Sequence, residues 1–189
     1  MSRSYLIWLP NAVTLLRLLL AWPLYQALDA GQFARAALLA SIAGASDLLD
    51  GWLAKRFGWV TRLGGMLDPL ADKLLVLAAF VGLHGAGLVP FWLVALVVGR
   101  DLVIVGGALA YRLVIGPFEP APTLSGKLTT FAQLLLLVWI LVAAALWPLP
   151  EGGTRLLTLL VAALTVWSGA HYVFLWSARA RGARGGASS

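Results

Sequence analysis

The 189-residue sequence contains no cysteine, which excludes disulfides and thiolate chemistry and leaves the redox compartment unread. It is also poor in charge: 12% of residues are Asp, Glu, Lys or Arg, while 61% are hydrophobic and nine are Trp. Soluble domains carry about 25% charged residues. A soluble fold is therefore excluded in favour of an integral membrane protein, and this length allows one small bundle. Residues 1–9 are too short for a cleavable signal peptide. With Trp8 ahead of Pro10 they read as an interfacial lead-in on the membrane surface. The net charge of +6 does not indicate nucleic acid, because the basic residues sit in short loops and the C-terminal tail. There they set topology and meet anionic lipid headgroups.

What is abundant is apolar sequence in runs near the roughly 20 residues that a bilayer-spanning helix needs. Six such runs occupy 10–28, 34–55, 66–86, 89–112, 124–147 and 154–177, separated by breaks that are polar or carry Gly and Pro. The predicted fold is all-α: six transmembrane helices over residues 1–178, followed by a basic, disordered tail over 179–189. Under this scheme Arg3, Lys55, Arg56, Arg62, Arg112, Lys127, Arg179, Arg181 and Arg184 fall on one side, and Arg35 and Arg155 on the other. The positive-inside rule then puts both termini and the 55–65 loop in the cytoplasm, with a bacterial-type inner membrane as the setting. Trp8, Trp59 and Trp176 mark that interface, and Trp92 and Trp147 the opposite one.

Four aspartates break the apolar pattern: Asp47, Asp50, Asp68 and Asp72. One aspartate at the centre of a spanning helix costs about 2.5–3.5 kcal/mol, so four cost on the order of 10–14 kcal/mol. Carboxylates about 4 Å apart also repel by roughly 4 kcal/mol per pair at an effective dielectric near 20. Either some are protonated or divalent cations lie between them. Asp47 and Asp50 are three apart on the second helix, and Asp68 and Asp72 four apart on the third, so each pair shares a helix face. The short connection makes the helices antiparallel neighbours whose acidic faces converge toward the cytoplasm. Such oxygen donors suit Mg²⁺ or Mn²⁺. Lys55 and Lys73 neutralise two of the four, which leaves an excess. Gly51, Ala54, Gly64 and Gly65 lie on or beside this surface, and serve either backbone approach to a ligand or close helix packing.

The series Asp47, Asp50, Gly51, Ala54, Lys55, Gly64, Asp68, Asp72 resembles the signature of the CDP-alcohol phosphotransferases, integral membrane enzymes that make phospholipids from a CDP-linked donor. Lys55 departs from it: the family usually has Arg there, whose fork takes two phosphate oxygens, and Arg56 stands next to it. Pro10, Asn11, Thr14 and Arg17, with the run 64–73, resemble the phosphatidylglycerophosphate synthase and cardiolipin synthase branch. The resemblance implies a six-helix domain, a homodimer, and two divalent ions, Mg²⁺ or Mn²⁺, held by Asp47, Asp50, Asp68 and Asp72. It implies CDP-diacylglycerol held along Asp47, Asp50, Gly51, Ala54, Lys55 and Gly64, with Asp72 as general base toward the acceptor hydroxyl. CMP leaves in an in-line displacement.

For the acceptor, Arg100, Asp101, Lys127 and Arg17 resemble pocket positions of relatives. Synthases that use glycerol 3-phosphate commonly show a G-K-x-K-T pattern; residues 126–130 here read Gly, Lys, Leu, Thr, Thr, so the second Lys is missing. This favours phosphatidylglycerol as acceptor, with glycerol 3-phosphate as the alternative. Arg100 and Asp101 are adjacent on a helix, so mutual pairing is expected to be poor and the pocket is favoured. Arg17 belongs either to that pocket or to the interface as an anchor. His171 and Tyr172 read as an interfacial or packing pair, and His84 as a loop residue on the far side. A divalent-cation transporter is the non-enzymatic alternative, but the acids lie on helices 2 and 3 alone, without the two-fold repetition of transporters.

Overall fold

The computed structural model describes the backbone of residues 9–57, 62–114 and 123–185, with side chains described for most of these. Among the described residues six helices follow one another: α1 Leu9–Asp29, α2 Phe33–Phe57, α3 Arg62–Gly85, α4 Phe91–Val114, α5 Leu124–Ala145 and α6 Glu151–Gly185. Each coincides with one of the apolar runs, so the all-α reading holds. Of the interfacial lead-in expected over residues 1–9, residues 1–8 lie outside the described residues and Leu9 opens α1.

The ends of the helices follow from local chemistry. Gly31 has φ +69° and Gly87 φ +75°, left-handed values that cost an L side chain energy. At α1 the Gln32 N–H donates to Ala27 O at 2.8 Å and the Gly31 N–H to Leu28 O at 3.0 Å. At α3 the Leu88 N–H donates to Leu83 O and the Gly87 N–H to His84 O, both at 2.9 Å. These are two Schellman closures, and Pro90 prevents resumption of α3. His84 therefore lies in the last turn of α3 and not in a loop; its Nδ1 is 3.0 Å from Val89 O, which ties down the turn that follows.

The chain forms two compact units. The first is Met1–Pro90 with Leu137–Leu149, the second Phe91–Leu136 with Pro150–Ser189. In the first unit α1 packs against α2 and α3. Arg17 meets Asp72 and Leu28 meets Gly82, so contacts advance together along α1 and α3 and the two helices run parallel. Leu24, Ala27 and Leu28 of α1 and Ala79, Phe80 and Leu83 of α3 are buried here. A Cβ on Gly82 would stand 2.7 Å from Leu28 Cβ and 3.1 Å from Tyr25 O, so glycine sets the α1–α3 spacing. Gly82→Ala is expected to lower unfolding stability by about 1–3 kcal/mol through overpacking, measured by denaturant titration of the protein in detergent.

In the second unit α4 packs against α6. The Thr129 hydroxyl of α5, fully buried, lies 3.1 Å from Leu164 O of α6 and 2.8 Å from Ser125 O. Large apolar side chains such as Leu102, Leu113, Phe131, Leu156 and Phe174 face outward, the inverse of a water-soluble surface. Among the described residues three helical stretches are long and apolar enough to cross a membrane: Phe91–Leu113, Leu124–Ala145 and Glu151–Arg179. Of the others, α2 and α3 carry the aspartates.

The tail differs from expectation. α6 runs 35 residues, to Gly185, so the stretch from Arg179 expected to be disordered begins as helix. Ala and Arg are strong helix formers, and arginines in a last turn complement the helix dipole. Arg179 also lies over the Trp176 ring, 5.9 Å from its centroid. Trp176 in turn packs on α4, its ring 5.3 Å from that of Tyr111.

Candidate functional site

In the first unit the acidic motif is organised by a residue from a third helix. Arg17 of α1 is 2% exposed, and its Nη1 forms an ion pair with Asp47 Oδ1 of α2 at 2.9 Å and donates to Asp72 Oδ1 of α3. Both carboxylates are half exposed. The expected convergence of the α2 and α3 acidic faces is thus present for Asp47 and Asp72. Arg17 is buried on them and does not reach outward as an interfacial anchor. The side chains of Asp50, Gly51, Ala54, Lys55, Gly64 and Asp68 lie outside the described residues; their backbone runs in α2 and α3.

Two carboxylate oxygens from different helices, both in contact with one guanidinium nitrogen, define a point that already holds positive charge. Carboxylate oxygens are the donor type that a hard divalent cation takes, and here both face the Arg17 guanidinium. Arg17 offsets the repulsion between the two carboxylates, about 4 kcal/mol for a pair roughly 4 Å apart. Among the described residues no group of three or more acidic or histidine side chains forms a metal cluster, and two of the four motif aspartates are among them.

The second unit carries a separate polar cluster. Arg100, ten residues into α4, has a side chain 8% exposed. Its Nη1 donates to Asp101 Oδ1 at 2.7 Å, and its Nε and Nη2 donate to Ser168 Oγ of α6 at 3.3 and 2.9 Å. The guanidinium carbon is 5.7 Å from the centroid of the Tyr172 ring. The expectation that Arg100 and Asp101 do not pair is therefore wrong. Adjacent residues leave a helix in different directions, but the long Arg stem curls back, and low dielectric rewards the contact.

The start of α5 joins this cluster. Thr123 caps it, its Oγ1 accepting from the Gly126 N–H at 3.1 Å. The Thr123 N–H donates to Tyr172 Oη at 3.4 Å, and Ser125 Oγ is 2.8 Å from His171 Nδ1. His171 and Tyr172, expected to be a packing pair, tie α6 to the α5 N-terminus through these polar contacts. Lys127 is exposed in the first turn of α5. Sequence reading passed over Ser168, Ser125 and the cap at Thr123. Only the cap leaves a sequence signal, a Thr ahead of an apolar run.

Comparison with known proteins places this geometry. The family model of the CDP-alcohol phosphatidyltransferases matches residues 7–174. A probable cardiolipin synthase (CMP-forming) of Drosophila melanogaster is 32% identical over 149 residues, 70% of this chain and 46% of the relative. A CDP-diacylglycerol–glycerol-3-phosphate 3-phosphatidyltransferase of Bacillus subtilis is 41% identical over 101 residues, 52% of this chain and 50% of the relative. A probable phosphatidylglycerophosphate synthase of Mycobacterium tuberculosis is 35% identical over 184 residues, 91% of this chain and 83% of the relative. The chain thus spans about half the length of the first two and most of the third. The match covers both the aspartate motif of the first unit and most of the second, and the chain belongs to the CDP-alcohol phosphatidyltransferase family.

Proposed function

We propose that this protein transfers the phosphatidyl group of CDP-diacylglycerol to the hydroxyl of a glycerol-type acceptor and releases CMP. The observation that carries this reading is the meeting of Asp47 and Asp72, from two helices, at one cationic point. Asp72 takes the proton of the acceptor hydroxyl; the hydroxyl oxygen bonds to the phosphatidyl phosphorus as its bond to the CMP oxygen breaks. Asp47, Asp50 and Asp68, with Asp72 at the edge, would hold Mg²⁺ or Mn²⁺, two ions in all, which when bound supply charge neutralisation at the pyrophosphate. Gly51, Ala54 and Gly64 let the cytidine and pyrophosphate lie close to the helices, and Lys55 adds positive charge. Arg17, bonded to Asp72, stands beside the place where the hydroxyl arrives. Arg100, Asp101 and Lys127 contact the charged part of the acceptor.

The setting that fits this chemistry is a homodimer of six-span chains in a bacterial-type inner membrane, both termini and the aspartates cytoplasmic, where nucleotide-activated substrates are found. The distribution of Lys and Arg supports the cytoplasmic orientation.

Phosphatidylglycerol is the favoured acceptor, because the second Lys of the glycerol 3-phosphate pattern is Thr129, whose hydroxyl is buried on backbone carbonyls. Glycerol 3-phosphate is the second reading, favoured by the synthase name of the M. tuberculosis relative that matches 91% of this chain. Purified protein supplied with CDP-diacylglycerol, Mn²⁺ and either acceptor separates them by the mass of the lipid formed. Cardiolipin is the expected product; phosphatidylglycerophosphate alone would establish the second reading.

A further inference from the structure

Arg100 carries five N–H donors. Among the described residues three are engaged within the chain: Nε–H and one Nη2–H on Ser168, and one Nη1–H on Asp101. One N–H on each terminal nitrogen remains, the pair with which a guanidinium takes two oxygens of a phosphate. Where that pair points is decided from α6. Ser168, fully buried, holds the adjoining Nε–Nη2 edge, and the guanidinium carbon lies over the Tyr172 ring, 5.7 Å from its centroid. Tyr172 is itself held by its hydroxyl, which accepts from the Thr123 N–H.

Gly126 completes the arrangement. A Cβ there would stand 3.2 Å from Arg100 Nη2, 3.2 Å from Thr123 Oγ1 and 3.2 Å from Tyr172 Oη. Polar atoms from α4, α6 and the α5 cap converge on the one position that carries no side chain. Backbone conformation does not explain this glycine, which lies inside a helix; the close approach of Arg100, Thr123 and Tyr172 does.

We propose that Ser168, Tyr172 and Gly126 are positioning residues for Arg100: the two α6 side chains fix the aim of its fork, and Gly126, having no side chain, lets Arg100 and Tyr172 seat close against α5, from where the fork presents its remaining N–H groups to the acceptor's phosphate oxyanion. The inference rests on the reading of Arg100 as an acceptor contact. A hydrogen bond to a charged group is worth about 1.5–3 kcal/mol. Loss of the Ser168 hydroxyl therefore weakens acceptor binding by roughly tenfold or more.

The test uses the full chain in mixed micelles, with phosphatidylglycerol and CDP-diacylglycerol varied separately. Ser168→Ala is expected to raise the acceptor KM about tenfold and leave the donor KM within about twofold, and Ser168→Thr to recover most of the loss. Tyr172→Leu and Gly126→Ala are expected to raise the acceptor KM in the same way, and Tyr172→Phe, which keeps the ring, to do so far less. Equal changes in both KM values, or failure of Thr to recover what Ala loses, would overturn the proposal. If Ser168→Ala does not fold, the Tyr172→Leu and Tyr172→Phe pair decides: equal effects on the acceptor KM overturn it. Arg100→Gln separates the two levels. An unchanged acceptor KM there removes Arg100 from the acceptor site; a raised one, with Ser168→Ala silent, removes only the positioning role.

Discussion

Asp72→Asn is expected to lower turnover by about 10²–10⁴-fold, the contribution typical of a positioned general base, while binding of CDP-diacylglycerol stays largely intact. The substitution keeps shape and one oxygen but removes the charge and the capacity to take a proton. Asp72 occupies the α3 end of the acidic motif, in contact with Arg17 and half exposed, so the acceptor hydroxyl has access to it. A metal-binding carboxylate is a poor base because a coordinated cation stabilises its charged form. On the proposed reading the base is the aspartate least committed to metal. Donor affinity measured with a non-reacting CDP-lipid analogue, beside single-turnover rates, separates the two roles. Loss of donor binding along with turnover would make Asp72 chiefly a metal ligand.

Arg17→Gln is the second large effect, and its size depends on divalent cation. Removing one partner of a buried ion pair costs about 3–5 kcal/mol. Asp47 and Asp72 are each 51% exposed, so solvent screening reduces this to about 1–3 kcal/mol. In chelator the variant is expected to lose that much stability, because two converging carboxylates lose their shared cation. In saturating Mn²⁺ much of the loss should be recovered, since an ion binding the same oxygens replaces the missing charge. Denaturation midpoints in chelator and in Mn²⁺, for wild type and variant, form the four corners of the measurement. Equal destabilisation in both conditions would mean that Arg17 acts by packing alone.

The helices were legible because they are written as apolar length between polar, Gly and Pro breaks, and each of the six runs became a helix. The meeting of Asp47 and Asp72 was legible for a related reason: spacings of three and four fix a helix face, and a short connection fixes neighbours. Arg17 was not. Its partner lies 55 positions away on a parallel helix, and periodicity within α1 says nothing of what stands opposite. The pairing of Arg100 with Asp101 was misjudged for another reason, since face-based rules treat side chains as short rods and Arg is long and flexible. Ser168 and Tyr172 left no sequence signal, because a Ser and a Tyr four apart on an apolar helix are ordinary until Arg100 is seen between them. The helical course of α6 to Gly185 was hidden by a basic composition that suggested a tail, although Ala and Arg are good helix formers.

The direct measurement is CMP released from CDP-diacylglycerol by the purified protein. With Mn²⁺ or Mg²⁺ and either phosphatidylglycerol or glycerol 3-phosphate present, CMP should appear in step with a new lipid, stop on addition of chelator, and be lost in Asp72→Asn. Absence of CMP with both acceptors, or release indifferent to chelator, would contradict a divalent-assisted phosphatidyl transfer at the aspartates and turn attention to cation transport.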